Sequence, residues 1–595
     1  MPDQQLSLRE QVSELFLQVE TLKQRVLTLE QSANLDPVTS SPAPAKAPHQ
    51  DKPQKPSESS ILVSGSSLLK HISAICFLLV IGLGLRALAE NDIFSNLAGT
   101  ALGIGYAGLL IIGGFFLYRR TNSMAPLFTI IGAILMFSVL METYTRHSLL
   151  PVGLVYLMLA MTGIALAMIS FQQQAALPII VGSLGMCLTA VAIDYPNPYF
   201  PYLGLMLWLS NILGFFASRI RRCSWLRWLL MLTTHFMLQV WGLKISGILS
   251  GTATPENIGA EWFIPIVTLI GFTFVLISLF GIIRSGDEKI SKFDLTLPAI
   301  NAAWLYVAGI YALKDPALFG IPAAIAAIFH FALAFWLAKR QRHNAPGTNT
   351  FTAGGVILAG LSLPALTGSM LLPLPLLSLL ALGICVCSHA WKSGGMRMTS
   401  YVLQLYVVVV LLIEMLSTVT TQAVPLMTVA LFCSWSALQH YSFSRETPPP
   451  LESIAFSRFD RHDLTAQLPL TSGLLSGLIT CLAFGFFILN RNYLGDVTLA
   501  YTGLQSIIIN GSAILLMIIA AMRHNKELRN ISCLVLLLGG AKVFIYDMLQ
   551  ISGGWLVAGI FAFGTAAALQ SLVLARWKAE PDTANTTKQQ KKESL

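Results

Sequence analysis

Apolar runs long enough to cross a bilayer recur from about Leu68 to Ala575, and all but six of the chain's 38 Lys and Arg residues fall in alternate polar breaks between them. A hydrocarbon core about 30 Å thick is crossed by roughly 20 apolar residues in helical form. Inside it, each backbone amide must be satisfied within its own segment. A chain that is 54% hydrophobic and only 11% charged over 595 residues is therefore expected to be all-α: a polytopic membrane protein with about 18 transmembrane helices in tandem hairpins. The series begins with 68–89 and 97–118 and ends with 530–549 and 554–575. Its least marked breaks are at Gln172, Gln173 and Gln174, and within 351–391, where Pro364, Pro373 and Pro375 interrupt the run.

The basic residues set the orientation. One side receives the N-terminal segment, Arg119 with Arg120, the cluster of Arg219, Arg221, Arg222 and Arg227, and each second break after it, down to the tail from Arg576. The other side keeps Arg86, Arg146, Lys244, Lys314, Arg491 and Lys542. Because cytoplasmic loops carry the excess of Lys and Arg, both termini are expected in the cytoplasm. The net charge of +9 then resides in short loops that meet anionic lipid, and nucleic acid is not an expected partner. The first 60 residues are polar, so the first apolar run, not a cleaved leader, is the expected insertion signal. Seven of the eight Cys residues fall in expected spans, Cys223 lies in a loop, and no CxxC spacing occurs. Neither a disulfide framework, a metal site nor a cofactor is expected.

Four segments follow. In 1–34, Leu8, Val12, Leu15, Val19, Leu22, Val26 and Leu29 form an unbroken heptad with Val at a and Leu at d, the pattern of a parallel two-stranded coiled coil. It points to a homodimer or to a cytoplasmic protein partner; the competing reading is an amphipathic helix lying on lipid. Residues 35–66 are a Pro-rich linker, 67–576 the membrane domain and 577–595 a basic tail. Gly99 with Gly103 and Gly473 with Gly477 have the GxxxG spacing of close helix contacts.

Acid and base pair up at the outer helix ends. Arg86 stands four before Glu90, Glu142 four before Arg146, Arg491 five before Asp496, and Lys542 five before Asp547. Charges near hydrocarbon are costly unless paired. Each pair either neutralises its own helix end, or several converge on one outward cavity that binds a polar or anionic headgroup. Glu414 lies inside an apolar run with no base nearby and is either a cation site or a carboxylate reaching the interface. His235 and His330, deeper in their runs, are expected to hydrogen-bond between helices, and Asn211, Asn301 and Gln404 to act as polar glue. Glu90-Asn91-Asp92 resembles the acidic motif of lipid-sugar glycosyltransferases. No Gly-Lys dipeptide exists for a phosphate-binding loop and no His-Glu for a zinc-protease helix.

Lys542-Val543-Phe544-Ile545-Tyr546-Asp547-Met548 resembles the Lys-x-Phe-x-x-Asp-Leu pattern near the C-terminus of the bacterial membrane-protein family called domain of unknown function 2339. That family is also similar in its coil, linker and first hairpin. Met548 stands where Leu is usual, and Leu556 where the family tends to place Arg. The resemblance implies a bacterial inner-membrane protein and no particular activity. Three functions follow from these residues: binding or translocation of a polar or amphipathic envelope substrate without ATP, a scaffold recruiting a partner through its coil, and a glycosyltransferase-like enzyme using Glu90 and Asp92. The substrate-binding set is Arg86, Glu90, Asp92, Glu142, Arg146, Glu414, Arg491, Asp496, Lys542 and Asp547, with no catalytic residue assigned.

Overall fold

The computed structural model describes residues 95–145, 149–195, 198–220, 224–249, 258–285, 290–312, 316–340, 347–450, 460–550 and 553–579, together with isolated positions within 73–81 and 453–457. The heptad residues, Arg86, Glu90, Asp92 and Arg146 lie outside the described residues. Described residues form 17 α-helical segments, two of which join through a π turn and are counted as one helix below, and no strand. In chain order these are α1 (Asn96–Arg119), α2 (Ala125–Thr145), α3 (Val152–Gln173), α4 (Ala176–Asp194), α5 (Phe200–Ile220), α6 (Ser224–Leu249), α7 (Phe263–Ser285) and α8 (Lys292–Ala312). There follow α9 (Pro316–Arg340), α10 (Thr348–Thr367), α11 (Leu374–Ala390), α12 (Gly394–Glu446), α13 (Gln467–Asn492), α14 (Val497–Met522), α15 (from Lys526, through a π turn, to Gln550) and α16 (Gly554–Ala579). The long α12 is two helices joined at a kink, where Gln422 has φ −129° and ψ 37°. Fourteen of the described helices are long and apolar enough to cross a membrane.

A helix occupies every expected run from 97–118 onward; the first run, 68–89, lies almost wholly outside the described residues. The two least marked breaks are present. Gln174 takes a left-handed conformation that ends α3, its amide bonding back to the Ser170 carbonyl, while the Ser170 hydroxyl accepts the Ile179 amide at 2.8 Å. Pro364, expected among the interruptions of 351–391, instead sits inside α10, and the break falls at Gly368, with φ 62°. A proline inside a helix deprives the carbonyl four residues back of its amide partner, and a neighbouring helix can supply another donor. Here the Gly360 carbonyl that Pro364 frees is taken by the Tyr406 hydroxyl of α12 at 3.3 Å.

The same device recurs at Pro298 in α8. It frees the Asp294 carbonyl, which accepts the Ser278 hydroxyl of α7 at 2.6 Å. Gly281 permits this approach, since a Cβ there would lie 2.5 Å from Asp294 Cγ. In apolar surroundings helices associate through small residues and such hydrogen bonds, not through hydrophobic burial. Both sequence GxxxG pairs have members at helix contacts. Gly103 faces Val139 of α2, Gly473 faces Leu438 and Gly477 faces Ser434 of α12, and the Ser434 hydroxyl donates to the Gly473 carbonyl.

Two apolar cores result. One is shared by α1 to α8 and the other runs from α8 to α14. Helix α8 supplies both, with Leu297 and Ala308 in the first and Ala302 in the second. At the C-terminal end α14 packs against α13, α15 and α16, so the last two helices reach the second core through α14.

Ser278→Ala is expected to lower stability by about 1–3 kcal/mol, because it strips the carbonyl that Pro298 has freed. Adding Pro298→Ala should restore most of that loss by returning an amide to the ladder. Thermal melting of the two variants in detergent, compared with the native chain, checks both outcomes.

Candidate functional site

Along one face of α14, Thr502, Ser506, Asn510 and Ala513 recur at helical spacing. Opposite them α15 keeps ordinary helical winding to Ala541, then makes one π turn over Lys542–Asp547. Residues five apart on an α-helix point about 140° away from each other. The i to i+5 winding of a π turn brings them to one side. Lys542 Nζ consequently donates to Asp547 Oδ1 at 2.7 Å, to Ser506 Oγ at 2.7 Å and to the Thr502 carbonyl at 2.9 Å. The Ser506 hydroxyl donates to Asp547 Oδ2. Helix α16 closes the back: a Cβ on Gly559 would meet Ser506 Cβ at 3.5 Å and Asp547 Oδ2 at 3.8 Å.

A polar seam continues inward from this cluster. Asn510 Nδ2 donates to the Ser506 carbonyl at 2.8 Å, and its Oδ1 rests on Gly539 of α15 with no hydrogen-bond partner. Deeper still, Gln570 of α16 donates to Ser532 Oγ at 2.7 Å, which donates to the Ala513 carbonyl at 2.8 Å. The three C-terminal helices are thus joined by polar groups along much of their common line.

Three further ion pairs join helix ends on the arginine-rich side. Arg397 is fully buried: Nε donates to Tyr401 at 2.8 Å, while Nη2 donates to Asp463 at 2.5 Å and to the carbonyls of Ser444 (2.6 Å) and Thr447 (3.1 Å). Arg227 pairs with Asp294, its guanidinium 4.2 Å from the Phe293 ring centre. Arg445 pairs with Glu527, which also accepts from Tyr441 at 2.7 Å. With its donors taken by a phenol, carbonyls, the Thr447 hydroxyl and a carboxylate, Arg397 is a clamp that ties both arms of α12 to the start of α13. Beside it Asp460 accepts the amides of Leu464 and Thr465 and the Thr465 hydroxyl. Burial alone would raise its carboxyl, but those Thr465 and Leu464 bonds and nearby Arg445 outweigh it and hold the group below the usual range.

Of the residues expected at a shared outer cavity, Lys542 and Asp547 are joined. Arg491 and Asp496 are exposed and form no ion pair among the described residues; Asp496 instead caps α14, accepting the Thr498 amide at 2.9 Å and its hydroxyl at 2.5 Å. Hydrogen bonds from Thr498 and Leu499 hold its carboxyl below the usual range. Glu142 is half-buried in α2, and Glu414 half-buried on the first arm of α12, where it joins no ion pair.

Lys244 has no acid near it in sequence, yet its ammonium lies 5.2 Å from the Trp241 ring centre, and Trp241 Nε1 donates to Asp194 Oδ2 at 3.0 Å. Asn211, Asn301 and Gln404 do bond between helices, to Thr234, Gly271 and Ser378. Each of His235 and His330 turns its Nδ1 to a carbonyl four residues back on its own helix, at 2.9 and 2.8 Å. His235 also meets Asn301 of α8, the interhelical contact expected of it, whereas for His330 that expectation is overturned, its Nε2 being buried without a partner among the described residues. Among the described residues no group of three or more His, Cys, Asp or Glu could hold a metal ion.

Sequence reasoning missed Ser506 and Asp194. Ser506 was visible as one of three polar residues four apart in an apolar run; Asp194, as an acid ending α4 on the side of Lys244. No protein-family model, curated protein or solved structure matches the chain.

Arg397→Met is expected to destabilise the protein by about 3–5 kcal/mol, because Asp463 is left buried and uncompensated; chemical denaturation in detergent measures it. Asp460 also gives a pH dependence. A carboxylate lowered by folding contributes stability above its unfolded value of about 3.9 and loses it as pH falls through the lower folded value. Amide protection at Leu464 and Thr465 should hold from neutral pH to about 4 and fall in stronger acid. Asp463, raised chiefly by burial against the opposing Arg397 charge, acts in the opposite sense, so hydrogen exchange at those two amides is the measurement that separates them.

Proposed function

We propose that this chain is a bacterial inner-membrane protein of 18 spans, with both termini cytoplasmic, that binds or translocates a polar or amphipathic envelope substrate without hydrolysing ATP. Its relatedness to the domain of unknown function 2339 family, and its dimerisation through the heptad from Leu8 to Leu29, belong to the same proposal. The observation that carries the functional reading is the π turn. An ion pair needed only for neutralisation forms on an ordinary helix from residues four apart. Here α15 gives up regular winding inside an apolar segment to bring Lys542 and Asp547 onto Ser506, and such turns and intramembrane charges concentrate where membrane proteins do their work. The substrate engages this pair, and the clamps at Arg227, Arg397 and Arg445 hold the helices around it.

Replacing both charges together, as Lys542→Met with Asp547→Met, removes the pair without stranding either partner. This variant is expected to reach the membrane at the native level and to fail to correct the growth or envelope defect of a strain lacking the chain. Full correction by it would overturn the reading. Correction that instead depends on residues 1–34 alone would turn the assignment to a scaffold acting through the coil.

A further inference from the structure

The Lys542, Asp547 and Ser506 cluster is closed on itself, and the closure constrains what can enter. All three ammonium protons are used, by Asp547 Oδ1, Ser506 Oγ and the Thr502 carbonyl. The second carboxylate oxygen accepts from Ser506. The two charges are unequally reachable: the Lys542 side chain is 17% exposed and that of Asp547 2%. A molecule approaching from outside therefore meets the cation first. The exposed large apolar side chains that follow Lys542 on α15 are Phe544, Ile545, Tyr546, Met548 and Leu549, and the ammonium lies 5.8 Å from the Tyr546 ring centre. A positive charge set in an apolar helix face is complementary to an anion that carries an apolar chain.

Charge balance then decides how such an anion binds. Since no ammonium proton is spare, an anion takes Lys542 by displacing one of its present acceptors, and displacing Asp547 exchanges one anion for another. If the carboxylate stayed ionised, the site would hold a net negative charge in a low-dielectric span, which is strongly unfavourable. A proton delivered to Asp547 removes that cost. One O–H bond forms, the new acid turns its proton to Ser506 Oγ, and the released ammonium N–H turns to the anion. The site is neutral before and after, so one proton and one anion enter together. Among the described residues no carboxylate or imidazole packed on the π turn competes for the proton. Helices α14 and α16 are its neighbours; α14 carries no titratable side chain except Tyr501, and α16 none before Arg576. On α15 itself Tyr546 is the titratable group next to the pair, while Lys526, Glu527, Arg529 and Cys533 lie in the part of the helix before the π turn.

We propose that Lys542 and Asp547 form a proton-coupled site for an anionic lipid, whose phosphodiester headgroup takes Lys542 while Asp547 takes up one proton and the acyl chains lie along the exposed face of α15. This deepens the functional reading above and rests on it.

The test uses the full chain in neutral detergent, dihexanoyl phosphatidylglycerol as probe, and a pH-sensitive dye in weakly buffered solution. The probe's phosphodiester does not itself titrate near neutrality. Expected are about one proton taken up per lipid bound, and an affinity that falls about tenfold per pH unit on the alkaline side. Asp547→Asn should bind the lipid with no proton uptake and a flat pH profile; if that variant does not fold, the proton stoichiometry of the native chain decides alone. Lys542→Met with Asp547→Met should bind it no better than dihexanoyl phosphatidylcholine. Binding to the native chain without proton uptake overturns this proposal, and leaves the functional reading standing where the double variant loses binding. Equal binding by the native chain and the double variant, or no binding by either, overturns the lipid site altogether. Equally tight binding of glycerophosphoglycerol, which has the headgroup without acyl chains, overturns the amphiphile and assigns the site to a free phosphodiester.

Discussion

A polar group inside an apolar segment cannot be passed to water, so it must find its partner on the same helix or on the next one. Much of the described structure is a set of solutions to that constraint. Two prolines that would otherwise end helices are kept within α8 and α10 because Ser278 and Tyr406 hydroxyls cap the carbonyls they free. Asparagines and a glutamine that look unremarkable in an apolar run become fixed contacts between helices, as Asn211 with Thr234 and Gln404 with Ser378. Each such bond is worth about 1 kcal/mol or less, but its direction is specific, so together these bonds choose which helices meet.

Charge is handled in two ways. On the arginine-rich side the pairs of Arg227, Arg397 and Arg445 sit at helix ends, and Arg397 has neutral carbonyls and a phenol as well as its acid. These clamps leave the winding of the helices that carry them regular, although Asp463 itself sits in a left-handed turn with φ 50°. Lys542 and Asp547 are the contrary case: both lie on one helix, and that helix changes its winding to let them meet. A clamp adds order to elements already formed, whereas a π turn removes regular hydrogen bonding from one. That asymmetry separates the last pair from the others.

The local features were readable from sequence in proportion to how local their physics is. Span lengths and breaks depend on runs of apolar residues, and a helix stands at each expected run from 97–118 onward. The pairing of Lys542 with Asp547 was anticipated from spacing, yet that spacing on a regular α-helix would have pointed them apart. Ser506, which bridges them, comes from another helix and had only its polar periodicity to mark it. For His235 and His330 the neighbouring helix offers aromatic faces, Phe274 and Phe351, and each ring turns its Nδ1 to its own backbone.

The sequence by itself determined the all-α character, the order and length of the apolar helices and the alternation of basic breaks. These follow from hydrocarbon thickness and backbone satisfaction, both of which act within one segment. Only the tertiary structure decided which charges meet. Arg227 and Asp294 are 67 residues apart, Arg397 and Asp463 66, and Arg445 and Glu527 82. Asp194 of α4 reaches Trp241 of α6, and through it Lys244, with the whole of α5 between them in sequence. No spacing rule connects such residues, because their partners are chosen by how helices pack, and packing is set by contacts distributed over the whole chain.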